Sequence, residues 1–283
     1  MARTRAAVLG KPVAHSLSPV LHEAAYRALG LPGWSYERIE VDAAGLPGFV
    51  SGLGPEWAGL SVTMPGKRAA LEFAARASPR AVAAGAANTL VPRDSGWFAD
   101  CTDVDGVVGA LCGAGGFAAG AGSTGVVLGA GGTAAAAVVA FAELGVTRVR
   151  LVVRDPARAG EAVAAAERAG VGAEVLTWSE VDFGKLVADV SVLVNTVPPA
   201  AVVDVAAELA AAPCLLDVIY HPWPTPLAEA AAARGGRIAT GLDMLLHQAF
   251  GQVEHFTGHP APRAEMRAAL REATGSVLPL PIA

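Results

Sequence analysis

The stretch that most constrains the fold runs from Thr124 to Gly145 and joins a short apolar run, a glycine turn and an apolar helix. The apolar run from Val126 to Leu128 is typical of a strand, and the alanine- and valine-rich segment after the turn is typical of a helix. In this order, free backbone N–H groups and the positive end of the helix dipole face an anion, which glycines allow to approach. The stretch therefore predicts a phosphate-binding turn, formed by Gly129, Ala130, Gly131 and Gly132.

The spacing of small residues in this turn indicates the kind of phosphate. Gly129, Gly131 and Ala134 match the G-x-G-x-x-G/A pattern of dinucleotide-binding folds, in which the third position packs the helix against the strand. Glycine-rich sequences also occur in plain turns, but here a strand precedes the turn and a helix follows it. We therefore predict a bound dinucleotide.

The end of the next predicted strand bears on which dinucleotide binds. Residues 148–153 form that strand, and Arg154, Asp155 and Arg158 follow it about twenty residues after the turn. At this place an acidic side chain hydrogen-bonds a ribose 2′-hydroxyl, whereas arginines accommodate a 2′-phosphate. Two arginines against one carboxylate favour NADP, and the carboxylate leaves NAD open.

Strands and helices alternate along most of the chain, which predicts an α/β fold whose second half is a doubly wound parallel sheet. A glycine-rich stretch, residues 113–123, is predicted to be a connection. The predicted strands are residues 5–10, 34–41, 57–64, 87–91, 97–99, 126–128, 148–153, 173–176, 190–195, 213–218 and 236–239. The predicted helices include residues 18–29, 46–53, 157–169, 200–211, 225–233, 241–258 and 262–273.

Composition limits the classes of partner. With 283 residues, 53% of them apolar, the chain is long enough for two domains. A net charge of −5 without a basic cluster argues against nucleic acid, and no segment is typical of a membrane span or a signal peptide. The three cysteines lack disulfide or CxxC spacing and the histidines lack metal-ligand spacing. We expect a cytoplasmic protein without a metal site.

In the first 105 residues, several polar side chains lie at the ends of predicted strands and helices. Ser18 and Pro19 are typical of a helix start, with Ser18 as the N-cap, so Ser16 offers a second hydroxyl suited to a carboxylate. Lys67 follows the end of a strand and opens the next helix, where α/β folds place ligands. Capping could account for one of Asp103 and Asp105, and not obviously for both.

Taken in order, the motifs of the chain resemble the shikimate dehydrogenase family over nearly the whole length. The resemblance is carried by residues 16–19 (SLSP), 61–67 (SVTMPGK), 87–89 (ANT), 102–103 (TD), 129–132 (GAGG), 217–227 (DVIYHPWPTPL) and 241–248 (GLDMLLHQ). It implies reversible NADPH-dependent reduction of 3-dehydroshikimate to shikimate, in the pathway to aromatic amino acids. It also implies two α/β domains with a cleft between them: a substrate domain, residues 1–103 and 241–283, and a Rossmann-like NADP domain, residues 104–240.

The same resemblance implies roles for individual residues, with the chain acting as a monomer or homodimer. Lys67 and Asp103 would form the catalytic pair, the lysine as proton donor and the aspartate as its orienting partner. The implied substrate ligands are Ser16 and Ser18 for the carboxylate, with Tyr220 nearby, and Thr63, Asn88 and Gln248 for the ring hydroxyls. The implied cofactor ligands are Gly129, Ala130, Gly131, Gly132, Arg154, Asp155, Arg158, Thr196 and Gly241.

Several positions depart from the family pattern. Ser61 stands where Asn is common, Gly66 replaces a larger residue, Cys101 replaces Asn, and Asp155 stands where Thr follows the arginine. Two alternatives stay open: a quinate/shikimate dehydrogenase that prefers NAD, favoured by Asp155, and a nucleotide-binding regulatory module without turnover. Lys67 and Asp103 speak against the module, because a sensor needs no proton donor.

Overall fold

The computed structural model describes residues 4–118 and 122–282, and these form two compact units. Unit 1 comprises Met1–Thr102 and Leu245–Ile282, and unit 2 comprises Asp103–Met244. Part of the predicted connection, residues 119–121, lies outside the described residues. Ahead of it, Leu111–Gly115 forms a single turn of π-helix.

Unit 1 is built on a six-stranded mixed sheet in the order β2-β1-β3-β5-β6-β4. β1 pairs in parallel with β2 and β3, whereas β5 pairs antiparallel with both β3 and β6. The strands are β1 (Arg5–Gly10), β2 (Ser35–Glu40), β3 (Trp57–Val62), β4 (Arg76–Ala77), β5 (Thr89–Arg93) and β6 (Gly96–Asp100). The helices are α1 (Ser18–Ala28), α2 (Leu46–Ser51), α3 (Lys67–Phe73) and α4 (Pro79–Ala84).

The order of the strands follows from their side chains. β1 and β3 are apolar or small at almost every position and lie buried on both faces, as central strands do. β2 alternates buried and more exposed residues and lies at an edge. The core of unit 1 therefore collects around β1 and β3, with Tyr26, Tyr36 and Phe256 packed against them.

Unit 2 is an all-parallel six-stranded sheet in the order β12-β11-β10-β7-β8-β9, as the α/β alternation predicts. Its strands are β7 (Thr124–Leu128), β8 (Arg148–Val153), β9 (Gly172–Thr177), β10 (Val192–Asn195), β11 (Leu215–Asp217) and β12 (Ala239–Thr240). Its helices are α5 (Asp103–Ala110), α6 (Gly132–Glu143), α7 (Gly160–Ala169), α8 (Phe183–Ala188), α9 (Ala206–Leu209) and α10 (Pro226–Ala233).

Two more helices complete the chain. α11 (Gly241–Thr257) begins in unit 2 and continues into unit 1 from Leu245, and α12 (Arg263–Ala273) lies in unit 1. α12 packs against α1.

Most predicted elements are confirmed and a few are wrong. The predicted helix 200–211 is broken into two 3₁₀ turns and the four residues of α9, because its sequence carries no sustained helical pattern after Pro198-Pro199. The short elements β4, α4 and α8 were not predicted. The strand order of unit 2 reverses between the neighbouring strands β7 and β10, so the carboxyl ends of these two strands are where such a sheet binds ligands.

Candidate functional site

Two serine side chains meet at the start of α1. The Ser16 hydroxyl donates to Ser18 Oγ over 3.2 Å, and Ser16 Oγ accepts the backbone N–H of Ser18 at 3.3 Å. The prediction that Ser18 caps the helix is wrong: Leu17 occupies that position and Ser18 is the first helical residue. Ser18 is buried, and its side chain is engaged by other side chains rather than by the helix backbone.

Strand β2 supports the loop that carries Ser16. Arg38 donates from Nε and Nη2 to the backbone carbonyl of Ser16, at 2.9 and 2.7 Å. Tyr36, two residues earlier and so on the same side of the strand, is buried. Its hydroxyl donates to Ser61 Oγ over 2.7 Å. Neither Tyr36 nor Arg38 was predicted, although their spacing of two on a strand was a usable signal.

A second group of polar side chains surrounds Asn88. Its amide Nδ2 donates to Thr102 Oγ1 at 3.0 Å and to Gln248 Oε1 at 3.1 Å, and its Oδ1 accepts the backbone N–H of Thr102 at 2.8 Å. Asn88 and Gln248 are 2% and 6% exposed, and the structure thus brings these two predicted substrate ligands together. Gln248 is held further by a bond from Nε2 to the carbonyl of Leu245.

Gln252, one turn further along α11, connects the group around Asn88 to Ser61 and Tyr36. Its Nε2 donates to the carbonyl of Asn88 at 3.2 Å and to Thr89 Oγ1 at 3.1 Å. Its Oε1 accepts the hydroxyl of Ser61 at 2.7 Å and faces His22 Nε2 at 3.4 Å. We call the connected set of Tyr36, Ser61, Gln252, Asn88, Thr89, Thr102 and Gln248 the polar chain of unit 1.

His22 is a neutral member of this core. It has no exposed surface, its ring stacks on that of Tyr36 with centroids 4.0 Å apart, and desolvation lowers its pKa to about 3. The hydroxyl of Tyr26 faces His22 Nδ1 at 3.4 Å. In the sequence, only the i, i+4 spacing of the two residues indicates this contact.

The predicted residues Thr63 and Lys67 lie at the carboxyl end of β3. The N–H of Thr63 donates to the carbonyl of Leu9 at 2.8 Å, and the carbonyl of Lys67 accepts the N–H of Ala87 at 2.9 Å. These backbone bonds fix the first residue of α3 beside the segment that carries Asn88. Asp103, 5% exposed, is the first residue of α5 and belongs to unit 2.

In unit 2 a groove of about 550 Å³ opens at the end of β7. It brings together six of the nine predicted cofactor ligands. Its lining residues are Gly129, Ala130, Gly131, Val153, Arg154, Asp155, Ala157, Arg158, Gly160 and Glu161. Gly160 and Glu161, at the start of α7, were not predicted.

Gly129 has to be glycine for two reasons. Its φ of +105° lies in the region that side-chain-bearing residues avoid, and a Cβ there would come within 2.5 Å of Thr196 Oγ1. Thr196 in turn donates to the carbonyl of Leu128 over 2.6 Å. The predicted ligand Thr196 therefore holds the glycine turn, and Gly132 opens α6 behind it.

The carboxylate of Asp155 has a structural task. It accepts the backbone N–H of Ala157 at 3.0 Å and so caps the 3₁₀ turn Pro156–Arg158. Arg154, Asp155 and Arg158 are all exposed and line the groove, with Arg154 before the capped turn and Arg158 at its end. The groove thus offers two positive charges and one partly occupied carboxylate.

The predicted residues Tyr220 and Gly241 also lie together, beyond the end of β11. A Cβ on Gly241 would overlap the carbonyl oxygen of Val218 and lie 2.8 Å from Tyr220 Cδ1.

The loop that follows β11 is held by Asp217, a residue that was not predicted to belong to the site. Its carboxylate accepts from Asn195 Nδ2, Thr225 Oγ1 and the N–H of Ile219, while burial raises its pKa. Burial also raises the pKa of Tyr220.

Within residues 4–118 and 122–282, no cluster of three or more His, Cys, Asp or Glu side chains could hold a metal ion. No helix in that part of the chain is long and apolar enough to cross a membrane.

Comparison with known proteins finds matches to two protein-family models. Residues 8–90 match the shikimate dehydrogenase substrate binding domain, and residues 241–271 match the shikimate 5′-dehydrogenase C-terminal domain. A shikimate dehydrogenase (NADP(+)) of Methylobacterium radiotolerans is 43% identical over 93% of this chain and 94% of that protein.

Solved structures agree with these matches. The crystal structure of Mycobacterium tuberculosis shikimate dehydrogenase is 54% identical, with a TM-score of 0.88 over 95% of this chain and 99% of that one. Shikimate 5-dehydrogenase of Thermus thermophilus, solved with NADP(H) and shikimate, is 34% identical, with a TM-score of 0.78 over 95% and 99% of the two chains.

Proposed function

The chain belongs to the shikimate dehydrogenase family, and from that premise we propose that it reduces 3-dehydroshikimate to shikimate, reversibly, with NADPH. In this reaction a ring ketone gains a hydride on carbon and a proton on oxygen. The product serves the pathway to aromatic amino acids. The groove at the glycine turn, with Arg154 and Arg158 on its wall, is the observation that most favours NADP chemistry.

The residues of the groove fit a dinucleotide phosphate. The positive φ of Gly129 and the absent Cβ leave the backbone open to a pyrophosphate at the N-terminus of α6, a helix of 12 residues. Arg154 and Arg158 would pair with a 2′-phosphate, because guanidinium groups bind phosphate through charge-assisted hydrogen bonds. When bound, NADPH supplies the hydride.

The polar chain of unit 1 and the two serines at the start of α1 fit a hydroxylated ring acid. Ser16 and Ser18 would donate to its carboxylate, while Asn88 and Gln248 would contact ring hydroxyls with amide groups that the structure already holds in place. Thr63 and Tyr220 would add hydroxyl contacts. An uncharged set of donors and acceptors suits a substrate whose only charge is one carboxylate.

We assign the proton transfer to Lys67, with Asp103 as its orienting partner. As hydride reaches the carbonyl carbon, the oxygen gains negative charge and takes a proton from the Lys67 ammonium. In the reverse direction the neutral amine accepts the hydroxyl proton. A carboxylate at Asp103 would hold the ammonium in place and accept from a substrate hydroxyl.

The test is initial-rate kinetics with shikimate and quinate, each with NADP⁺ and NAD⁺. We expect turnover with shikimate and NADP⁺ that exceeds every other combination. Tight binding of NADP⁺ without oxidation of either acid would overturn the proposal and favour a regulatory module.

A second candidate is a quinate/shikimate dehydrogenase that prefers NAD⁺, favoured by the presence of Asp155 among the residues that line the groove. Its bond to the Ala157 N–H occupies Oδ1, which weighs against a role in binding ribose. Comparable rates with NAD⁺ or quinate would establish this alternative.

We further propose that the protein works in the cytoplasm, where its three cysteine thiols suit a reducing environment. Sedimentation would decide between a monomer and a homodimer.

A further inference from the structure

Helix α11 holds Asn88 from two successive turns. Gln248 Oε1 accepts from the side-chain amide of Asn88 at 3.1 Å, and Gln252 Nε2 donates to the backbone carbonyl of Asn88 at 3.2 Å. Residues four apart lie on one side of a helix, so a single face of α11 fixes both the side chain and the backbone of Asn88. Gln252 has no exposed surface and therefore acts only through its neighbours.

Two backbone groups determine which way the side-chain amides point. The carbonyl of Asn88 can only accept, so the Gln252 atom that faces it is the amide nitrogen. The backbone N–H of Thr102 can only donate, so the Asn88 atom that receives it at 2.8 Å is Oδ1. The amide nitrogen of Asn88 is thereby directed to Gln248.

Thr89 joins the two amides. Its Oγ1 accepts from Gln252 Nε2 at 3.1 Å, so its own proton is directed to another acceptor, and Asn88 Oδ1 lies 2.9 Å away. Thr102 Oγ1, at 3.3 Å, is farther from it. Asn88 Oδ1 thus receives the Thr89 hydroxyl in addition to the N–H of Thr102, and an amide turned over by half a rotation would face that N–H with its nitrogen.

Ser61 supports Gln252 from β3. Its hydroxyl donates to Gln252 Oε1 at 2.7 Å and accepts the proton of Tyr36 at the same distance. Ser61, one of the positions that depart from the family pattern, therefore has a task in this chain: it holds the amide that in turn holds Thr89.

We propose that Thr89 and Gln252 are positioning residues for the Asn88 amide and lower the KM for shikimate by holding it in one orientation before the substrate arrives. The inference rests on the proposed function, in which Asn88 contacts a ring hydroxyl. An amide that is already ordered loses less side-chain entropy on binding. Neither residue touches the reacting carbonyl, so the chemical step is not expected to change.

The first test compares two replacements of Thr89. Thr89→Val keeps the branched shape and removes the hydroxyl, and we expect the KM for shikimate to rise about fivefold, the effect of one net hydrogen bond. The kcat should stay within twofold and the KM for NADP⁺ unchanged. Thr89→Ser keeps the hydroxyl and should retain the wild-type KM, although loss of a buried methyl group lowers its stability. A KM that follows the hydroxyl and not the stability is the mark of positioning.

The matched control is Thr257→Val, the same replacement at the end of α11. The Thr257 hydroxyl donates to the carbonyl of Val253 at 2.7 Å and is not joined to Asn88. This variant should keep the wild-type KM for shikimate. An equal rise in Thr257→Val, an equal rise in Thr89→Ser, or an unchanged KM in Thr89→Val would overturn the inference.

A double-mutant cycle tests the part of Gln252. Gln252→Met retains an unbranched side chain in the core and removes the amide, and we expect about a fivefold rise in the KM for shikimate. If Gln252 acts through the Thr89 hydroxyl, it adds no further rise once Thr89→Val is present. Additive rises would refute this route.

Ser61→Ala tests the same part with a smaller change to the core, because it removes one support of the Gln252 amide and leaves the amide itself. We expect about a twofold rise in the KM for shikimate, against an unchanged kcat. An unchanged KM in whichever of Gln252→Met and Ser61→Ala folds refutes the part of Gln252.

Wild-type turnover separates the two levels of proposal. If the wild-type enzyme does not oxidise shikimate with either cofactor, the proposed function fails. If it does, and the variants keep the wild-type KM, only the positioning role of Thr89 and Gln252 fails.

Discussion

The polar groups of unit 1 and those of the groove in unit 2 are built in opposite ways. In unit 1, Asn88, Gln248 and Gln252 are buried, uncharged and hydrogen-bonded to one another or to the backbone. In unit 2, Arg154 and Arg158 are exposed and charged, and their setting is a turn on the surface.

This difference indicates which substitutions each unit can accept. A buried chain of hydrogen-bonded side chains fixes a geometry and penalises any substitution that leaves a partner unmatched. An exposed pair of charges contributes through long-range attraction, which salt screens and which a single substitution can redirect without harm to folding. We therefore expect unit 1 to determine the substrate and unit 2 to tune the cofactor.

The largest expected effect tests this division at Lys67. Lys67→Ala should lower kcat by about 10²- to 10⁴-fold, the range of general acid catalysis, because the carbonyl oxygen loses its proton donor. The KM for shikimate and the preference between NADP⁺ and NAD⁺ should change little. Steady-state kinetics with both cofactors measure all three quantities.

The control is Lys185→Ala, which removes an exposed lysine paired to Asp182 in unit 2. It should keep the wild-type kcat. If Lys67→Ala raises the KM alone, or shifts cofactor preference, Lys67 is not the proton donor and the division of roles is wrong.

A smaller effect concerns the stability of unit 1 and its dependence on pH. The unfolded chain protonates His22 near its ordinary pKa of 6.5, whereas the folded chain does so only near 3. Between these values the unfolded state binds more protons, so the free energy of unfolding falls as the pH falls. One such group contributes about 1.4 kcal/mol per pH unit, roughly 2 kcal/mol between pH 6.5 and pH 5.

Denaturant unfolding at several pH values measures this slope, and His22→Phe, which retains a ring against Tyr36, should flatten it. Asp100 keeps its own contribution in both proteins. Burial alone would raise the pKa of Asp100, but hydrogen bonds with His255 and Ser78 lower it on balance. The stability that Asp100 contributes is therefore lost only below about pH 4. Equal slopes for wild type and His22→Phe would contradict the prediction.

The next prediction addresses the charges of the groove. Arg154→Ser should raise the KM for NADP⁺ about tenfold, the effect of one charge-assisted hydrogen bond near the surface, and leave the KM for NAD⁺ unchanged. Added salt should raise the wild-type KM for NADP⁺ more than that for shikimate. A similar loss with both cofactors would mean that Arg154 supports the turn and does not read the 2′-phosphate.

The smallest expected effect separates the two tasks of Asp155. Asp155→Asn keeps an oxygen to cap the turn and removes the negative charge. The KM for NADP⁺ should fall about threefold with no change in thermal stability. A marked rise in the KM for NAD⁺ would instead identify Asp155 as a ligand of the ribose.

How far the sequence predicted the fold depended on the period of its apolar residues. Long, regular segments such as Arg148–Val153 and α11 were predicted within a residue or two, because burial dictates their pattern. The segment after Pro199 and the short α8 were not, since their few residues are ordered by contacts from distant parts of the chain. In unit 1, the antiparallel pairing of β5 with β3 likewise depends on tertiary contacts, so no local sequence pattern indicates it.

The site was predictable where backbone geometry demands a residue type. Gly129 is required by its positive φ, so the turn could be found from sequence. Gln252 could not be, because hydrogen bonds join it to Ser61 and Asn88, which lie far from it in sequence. The individual roles given to Lys67 and Asp103 stay predictions.

The neutral burial of His22 has a spectroscopic consequence. His22 Nε2 faces an acceptor, Gln252 Oε1, and His22 Nδ1 faces the hydroxyl of Tyr26. Its imidazole should therefore give the nitrogen resonances of a fixed Nε2–H tautomer that do not move as the pH is lowered through the usual histidine range. Such a signal would report on the integrity of the core of unit 1 in any variant, independently of whether that variant turns over substrate.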